Sequence, residues 1–329
     1  MEMNQLTQIL EKEPKYRLRQ CYQAIFCDLI DDWQKAMNLP LGLRNKLSQG
    51  FPLNIKADFF ESKNKKTIKA LIELDDKQKI ETVLMKHDDR NTLCVSSQVG
   101  CALRCNFCAT GQMGFKRNLS DWEIILQVLV FARREDSRIG NVVFMGMGEP
   151  FLNYDNVIKA VKILNDKSGF NIGARHISIS TVGIIEGINK MADEKIQINL
   201  AISLHAPDDE LRKKLIPIAN EYSIKDILDA IDDYIHKTSR KVMFEYLLID
   251  GINDQEAQAY ALAKLMRKKL YMVNLIPCNP VGAYRPSSNN TIKQFRDILE
   301  KNGVNVTQRL RLGDDIKGAC GQLAGRTEL

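Results

Sequence analysis

The chain has 329 residues, 44% of them hydrophobic and 27% charged, an ordinary globular balance with room for one large domain and a small one, or for two medium domains. No run of about 18 apolar residues occurs, which argues against a bilayer-spanning helix. The charged start MEMNQLTQILEKEPKYRLRQ has no apolar leader stretch, so a cytoplasmic location without membrane contact is expected. A net charge of +6 leans towards an anionic partner and decides nothing alone.

In chain order, residues 1–55 carry helical periodicity, above all in YRLRQCYQAIF and LGLRNKLSQGF, and read as a small helical accessory domain. Residues 56–91 read as short strands around the polar turn SKNKK. Residues 92–329 form the core. It opens with a strand at 92–96 and a cysteine-bearing loop, followed by a helix that Ser120 and Glu123 start as a capping box. Strands at 141–145, 176–182, 198–204, 242–249 and 272–276 then alternate with helices. Those helices include 154–164, SIKDILDAIDDYI, DQEAQAYALAKLMRKK and 291–301, and a strand at 304–310 closes the chain.

Such alternation predicts an α/β fold, a parallel sheet covered by helices. About six units suggest a partly closed barrel, with an open doubly wound sheet as the alternative. Either way a ligand site belongs at the carboxyl ends of the strands. The cysteine loop, MGMGEP, ISTVG, ISLHAP and IPCNP all follow strands, so five turns converge on one rim.

Eight cysteines are present: Cys21, Cys27, Cys94, Cys101, Cys105, Cys108, Cys278 and Cys320. In a reducing compartment a clustered set points to metal or redox chemistry rather than to disulfides. CALRCNFC supplies three thiolates spaced C-x3-C-x2-C and no fourth. Three thiolates can hold three irons of a 4Fe-4S cube and leave the fourth iron open. The amino and carboxylate groups of S-adenosylmethionine can fill that position, and one-electron cleavage of its C–S bond then yields a 5′-deoxyadenosyl radical. The competing reading is zinc, in an RNA-binding module, but zinc cysteine pairs usually come twice. Cys21 and Cys27 read as core or partly exposed thiols.

The spacing, followed by the Gly-Glu-Pro turn at 148–150, resembles the radical S-adenosylmethionine pattern. LCVSSQVGCALRCNFCATG, FMGMGEPFLN, ISTVGI, SLHAP, NLIPCNP and GDDIKGACGQLAG together resemble the RlmN/Cfr adenine methyltransferases over essentially the whole chain. The resemblance implies a partial (β/α)6 radical-SAM barrel and a monomeric enzyme that methylates adenine C2 in 23S rRNA and in tRNAs beside the anticodon. It implies one 4Fe-4S cluster on Cys101, Cys105 and Cys108, two S-adenosylmethionine molecules per turnover, and an electron donor such as flavodoxin or ferredoxin. Gly148, Glu149, Ser180, Ser203, Leu204, His205 and Asn279 match cofactor-binding positions. Cys320 matches the cysteine that carries the methyl group, Cys94 the cysteine that releases the product through a transient disulfide, and Glu81 the proton acceptor. On residue type alone, Glu81 would be a solvated strand carboxylate.

Methylation at adenine C8, with antibiotic resistance, is the alternative within the family. A radical enzyme acting on a small molecule would leave Cys320 and Cys94 without a role. Cys278 stands where similar proteins often carry a large aromatic residue, and VGAYRPSSNN after it is short; a packing consequence is expected there. Basic clusters at Arg17 and Arg19, 63–69, Arg104 with Lys116 and Arg117, 267–269, and Arg309 with Arg311 are candidates for phosphate contact.

Overall fold

The structure, a computed structural model, describes residues 1–88, 90–135 and 138–325. Three short helices come first: α1 (Met3–Ile9), α2 (Tyr16–Tyr22) and α3 (Leu41–Gly50). Three antiparallel strands follow: β1 (Lys56–Glu61), β2 (Thr67–Glu73) and β3 (Lys79–Lys86). β4 (Asn91–Val95) pairs antiparallel with β3 on one side, with Val83 facing Cys94, and parallel with β7 (Asn141–Phe144) on the other.

From β4 onward the sheet is parallel. β7 is followed by β8 (Ile177–Thr181), β9 (Asn199–Ser203), β10 (Val242–Leu248), β11 (Tyr271–Pro277) and β12 (Val306–Gln308). The strands lie in the order β1-β2-β3-β4-β7-β8-β9-β10-β11-β12, a single ten-stranded sheet. The expected six-unit α/β core is present, as β4 and β7 to β11. β12 adds a parallel edge shorter than the strand expected at 304–310.

The crossovers are α5 (Asp121–Arg134), α6 (Tyr154–Asn165), α7 (Ile185–Ala192), α8 (Asp209–Leu215) with α9 (Ile224–Thr238), α10 (Glu256–Leu265) and α11 (Asn289–Lys301). α9 shows why they cover the sheet. Ile224, Ile227, Ala230, Ile231 and Tyr234 recur at helical spacing and are all buried. Ser223 and Asp226 cap its start reciprocally, as Ser120 and Glu123 do for α5. Each such cap contributes about 1 kcal/mol.

α5 is buried over eleven consecutive residues, Asp121 to Phe131. The reason lies in the first 60 residues, which cover its outer side. The Phe51 ring packs on Trp122 at 4.6 Å and Phe59 on Phe131 at 5.8 Å, while the Met3 N–H donates to Asp121 at 3.0 Å. Arg133, near the end of α5, donates back to the carbonyls of Leu53 and Ile30. Among the described residues no helix is long and apolar enough to cross a membrane.

Candidate active site

The cysteine loop hangs from a two-stranded hairpin that sequence pattern did not reveal, β5 (Gln98–Gly100) with β6 (Phe115–Asn118). Gly100 makes it possible. Its φ is +75°, and a Cβ there would lie 1.8 Å from the Gly114 carbonyl oxygen. That same carbonyl accepts the Cys101 N–H at 3.1 Å. Farther along, Asn106 anchors the loop to the end of α8. Its N–H donates to the Leu215 carbonyl at 3.0 Å and its side chain to the Lys214 carbonyl at 2.7 Å. The short helix α4 (Ala109–Gln112) follows at once.

Cys101 and Cys105 are buried and Cys108 half-buried. Burial pushes the Cys101 thiol up to about 12 and Cys105 well above its usual range, and the neighbouring thiols add to both. Two buried sulfurs raised in this way ionise together only beside a strongly cationic group, and with Cys108 as a third donor the set fits an iron–sulfur cube. The zinc alternative needs its donors around one ion. Among the described residues no three His, Cys, Asp or Glu side chains are gathered to hold a metal ion, those of Cys101, Cys105 and Cys108 included.

The turn after β7 brings Gly148 and Glu149. Gly148 has φ +100°, and a Cβ would come within 2.5 Å of the Gln98 side chain. Gln98 Oε1 in turn accepts the Glu149 N–H at 2.9 Å. The Glu149 carboxylate accepts the N–H groups of Phe151 and Val182, each at 3.0 Å, which ties the β7 turn to the β8 turn. Burial nevertheless pushes Glu149 up to about 7.

At the carboxyl ends of β8 and β9, Ser180 and Ser203 meet at 3.2 Å. Ser180 donates to Glu245 Oε2 at 2.6 Å and Ser203 to the same oxygen at 3.3 Å. The backbone carbonyl of Glu245 accepts the N–H groups of Leu204 and His205, at 3.0 and 3.2 Å. His205 sits at φ +60°, and its Nδ1 accepts the Leu247 N–H at 3.0 Å. That bond places any ring proton on Nε2. Burial pulls His205 down to about 4, so the ring is neutral at pH 7. Asn279, after β11, donates to the Cys320 carbonyl at 3.0 Å.

The C-terminal tail lies across this rim. Ala109 N–H donates to the Gly321 carbonyl at 2.8 Å, and the Thr110 hydroxyl to the Leu323 carbonyl at 2.6 Å. Cys320 lines two cavities. One, of about 110 Å³, also holds Cys108, Ser203, His205, Glu245 and Asn279. The other, of about 370 Å³, holds Cys94 and Arg309. Cys320 is open to this space, yet the protein around it pushes the thiol up to about 11. Burial, with the Cys320 sulfur adding to it, takes Cys94 to about 12. Arg309, ion-paired with Glu245 at 2.7 Å, works against the rise at both sulfurs.

The Radical SAM superfamily model matches residues 95–263. A probable dual-specificity RNA methyltransferase RlmN of Dictyoglomus thermophilum is 46% identical over 316 residues, covering 94% of this chain and 91% of that protein. The chain belongs to the RlmN family of radical SAM methyltransferases. The ribosomal RNA large subunit methyltransferase N of Nitrosopumilus maritimus is 45% identical, over 96% of this chain and 93% of its own length. The crystal structure of a radical SAM methyltransferase from Sphaerobacter thermophilus superposes with a TM-score of 0.95 at 42% identity, covering 99% and 98% of the two chains. The chain is therefore an enzyme with a radical SAM fold, and superfamily membership implies a 4Fe-4S cluster and S-adenosylmethionine.

Within this RlmN-family site, Cys94, Cys108, Ser203, His205, Asn279 and Cys320 line the two cavities, with Asn279 and Cys320 in the walls of both. Glu81 does not. It lines a third cavity, of about 420 Å³, with Gln322 and Ala324 in the wall. Nor is Glu81 the solvated carboxylate its strand suggested: it is 1% exposed and pairs with Lys69 at 2.9 Å. Lys69 thereby leaves the basic cluster at 63–69, where Lys63, Lys65 and Lys66 stay exposed. Arg117 likewise is engaged by Glu123 and Asp76, and Arg309 by Glu245.

Cys278 packs at 1% exposure in the wall beside Cys320. Cys21 is buried and Cys27 exposed. Sequence reasoning passed over Glu245, which ties both serines to Arg309. A charge inside the apolar run VMFEYLL was the available signal. It also passed over Asn253, whose amide holds the His205 carbonyl at 2.9 Å, and Asn253 carried no signal at all.

Proposed function

We propose that the enzyme methylates C2 of an adenine in 23S rRNA, and the adenine 3′ of the anticodon in tRNAs, with the methyl group carried on Cys320. The printed names of the relatives, a dual-specificity RNA methyltransferase and a large-subunit ribosomal RNA methyltransferase, support an RNA substrate. One observation carries the mechanism. Cys320 opens at once onto the cavity beside the cysteine loop and onto the cavity holding Cys94.

Cys101, Cys105 and Cys108 would hold the cluster, and Gly148, Glu149, Ser180, Ser203, Leu204, His205 and Asn279 would hold S-adenosylmethionine. Together, when bound, these groups supply a methyl group and the one-electron chemistry that activates it. The chain's own part is to carry, release and deprotonate. Adenine C2 lies between two ring nitrogens and is electron-poor, so a carrier sulfur must bring the carbon to it. Cys320 is that carrier and becomes linked to the base by a thioether. Cys94 then attacks the Cys320 sulfur; the S–S bond forms, the S–CH2 bond breaks, and the electron pair leaves with the base-bound carbon, which takes up a proton. Glu81 accepts the proton leaving ring carbon C2. Arg309 favours the thiolate form at both sulfurs.

The same proposal takes two S-adenosylmethionine molecules per turnover, flavodoxin or ferredoxin as electron donor, and a monomer acting in the cytoplasm. It treats residues 1–55 as an accessory RNA-gripping domain, 56–91 as the segment carrying Glu81, and 92–329 as the radical SAM core. Mass spectrometry of nucleosides from RNA incubated with reconstituted enzyme is the test. 2-Methyladenosine is expected from the native enzyme and none from Cys320→Ala, while cofactor cleavage persists. Methylation by Cys320→Ala would end the carrier assignment, and 8-methyladenosine would move the enzyme to the alternative regiochemistry.

A further inference from the structure

We propose that Lys69 and Glu81 form a latch that positions the C-terminal tail, and with it Cys320, in the barrel mouth, and that Glu81 meets substrate only when this latch opens. The inference rests on the roles proposed above for Cys320 and Glu81. It starts from strand register. In the β2–β3 pair Lys69 faces Val83 and Leu71 faces Glu81, so Lys69 and Glu81 are diagonal neighbours on one face. Both side chains are 2% exposed, with Lys69 Nζ 2.9 Å from Glu81 Oε1. Phe60 stands opposite Lys69 on β1, and its ring lies 5.3 Å from Nζ. The cation is therefore held on both sides, and one carboxylate oxygen is assigned to it.

The other oxygen belongs to the tail. Glu81 Oε2 accepts the Ala324 N–H at 2.6 Å and the Gly325 N–H at 3.1 Å. Gly325 has φ +61°, and a Cβ there would lie 3.0 Å from the Lys79 carbonyl oxygen, so glycine suits this approach. A buried ion pair is a weak stabiliser in its own right. Here it presents a fixed acceptor to two backbone donors, and backbone donors need no particular side chain in the tail.

The consequence is geometric. Gln322 and Ala324 line the cavity that holds Glu81, while Cys320 and Leu323 line the other two. In this arrangement the tail is the partition. An adenine that touches Cys320 and Glu81 together has to displace residues 322–325, and the displacement frees Oε2. Delivery of Cys320 to RNA and unmasking of the carboxylate are then one movement.

Hydrogen–deuterium exchange on the full, cluster-loaded enzyme, read at the amides of residues 322–325, tests the latch. Glu81→Gln removes the charge that both tail amides bond to. Lys69→Met combined with Glu81→Gln removes the pair together and leaves no buried lysine alone. Both variants are expected to exchange about tenfold faster at these amides, as fits the loss of a hydrogen bond to a charged group. Exchange at the native rate in the double variant overturns the latch. RNA methylation by the same proteins keeps the two ideas apart. Slow methylation with native exchange removes the latch and spares the proton-acceptor role. Native methylation by Glu81→Gln with fast exchange does the reverse.

Discussion

The cysteine loop and the C-terminal tail both carry sulfur to the barrel mouth, and they are held in opposite ways. The loop is clamped by a hairpin, by Asn106 on α8, and by burial of Leu103, Cys101 and Cys105. The tail is held by polar tethers at Cys320, Gly321, Leu323, Ala324 and Gly325, with Ala319 and Leu323 as its buried apolar side chains. Apolar burial is non-directional and is lost only by large movement. A hydrogen bond contributes about 1 kcal/mol net and can be exchanged for one to water or to a ligand. Under the proposed roles, the loop that would hold the cluster is packed, and the sulfur that would travel, Cys320, sits on a segment that is tied.

The largest contrast comes from Cys105→Ala. Iron content should fall to background and RNA methylation with it, whereas Cys320→Ala should keep its iron; iron and sulfide assays on anaerobically reconstituted protein check this. A Cys105→Ala protein with full iron content would break the division between fixed and travelling sulfur.

The rim between the two regions gives a smaller, pH-dependent effect. Burial raises Glu149 from 4.5 to about 7, so the folded state holds a proton that the unfolded chain gives up. Stability contributed at this site is therefore intact below pH 4.5 and falls as pH rises to 7, by about 3 kcal/mol at 1.36 kcal/mol per pH unit. Glu149→Gln should remove that fall. Urea unfolding of cluster-free native and variant proteins at pH 5 and pH 7 measures it, and equal slopes for the two would refute the assignment.

The smallest effect is expected at the tail. Thr110→Val deletes the donor to the Leu323 carbonyl while keeping the side chain's shape. Global stability should change by about 1 kcal/mol or less, while tail amides exchange several-fold faster. A loss of stability well beyond that, read by thermal unfolding, would mean the tail is packed like the loop.

Much of this was legible in the residues. C-x3-C-x2-C and the five turns after strands place the rim, because a parallel sheet puts its loops at one end. The period of apolar residues in α9 and the Ser–Glu box of α5 place helices, since both are local signals. Glu81 needed more. Its burial depends on Lys69 and on a tail more than 240 positions away, and no window of sequence contains that partnership. Arg309 and Lys69 read as surface cations for the same reason: a charge looks solvated until its partner is found. The β5–β6 hairpin was hidden because its strands are three and four residues long.

β3 and β4 are hydrogen-bonded neighbours, with Val83 opposite Cys94 and Glu81 two residues back on the same face. The span between Glu81 and Cys94, the proposed proton acceptor and product-releasing sulfur, is thus set by the pleat and pitch of a sheet rather than by a hinge. It works as a carpenter's jig: the two tools are bolted to one bench, and only the workpiece and the arm that feeds it can shift.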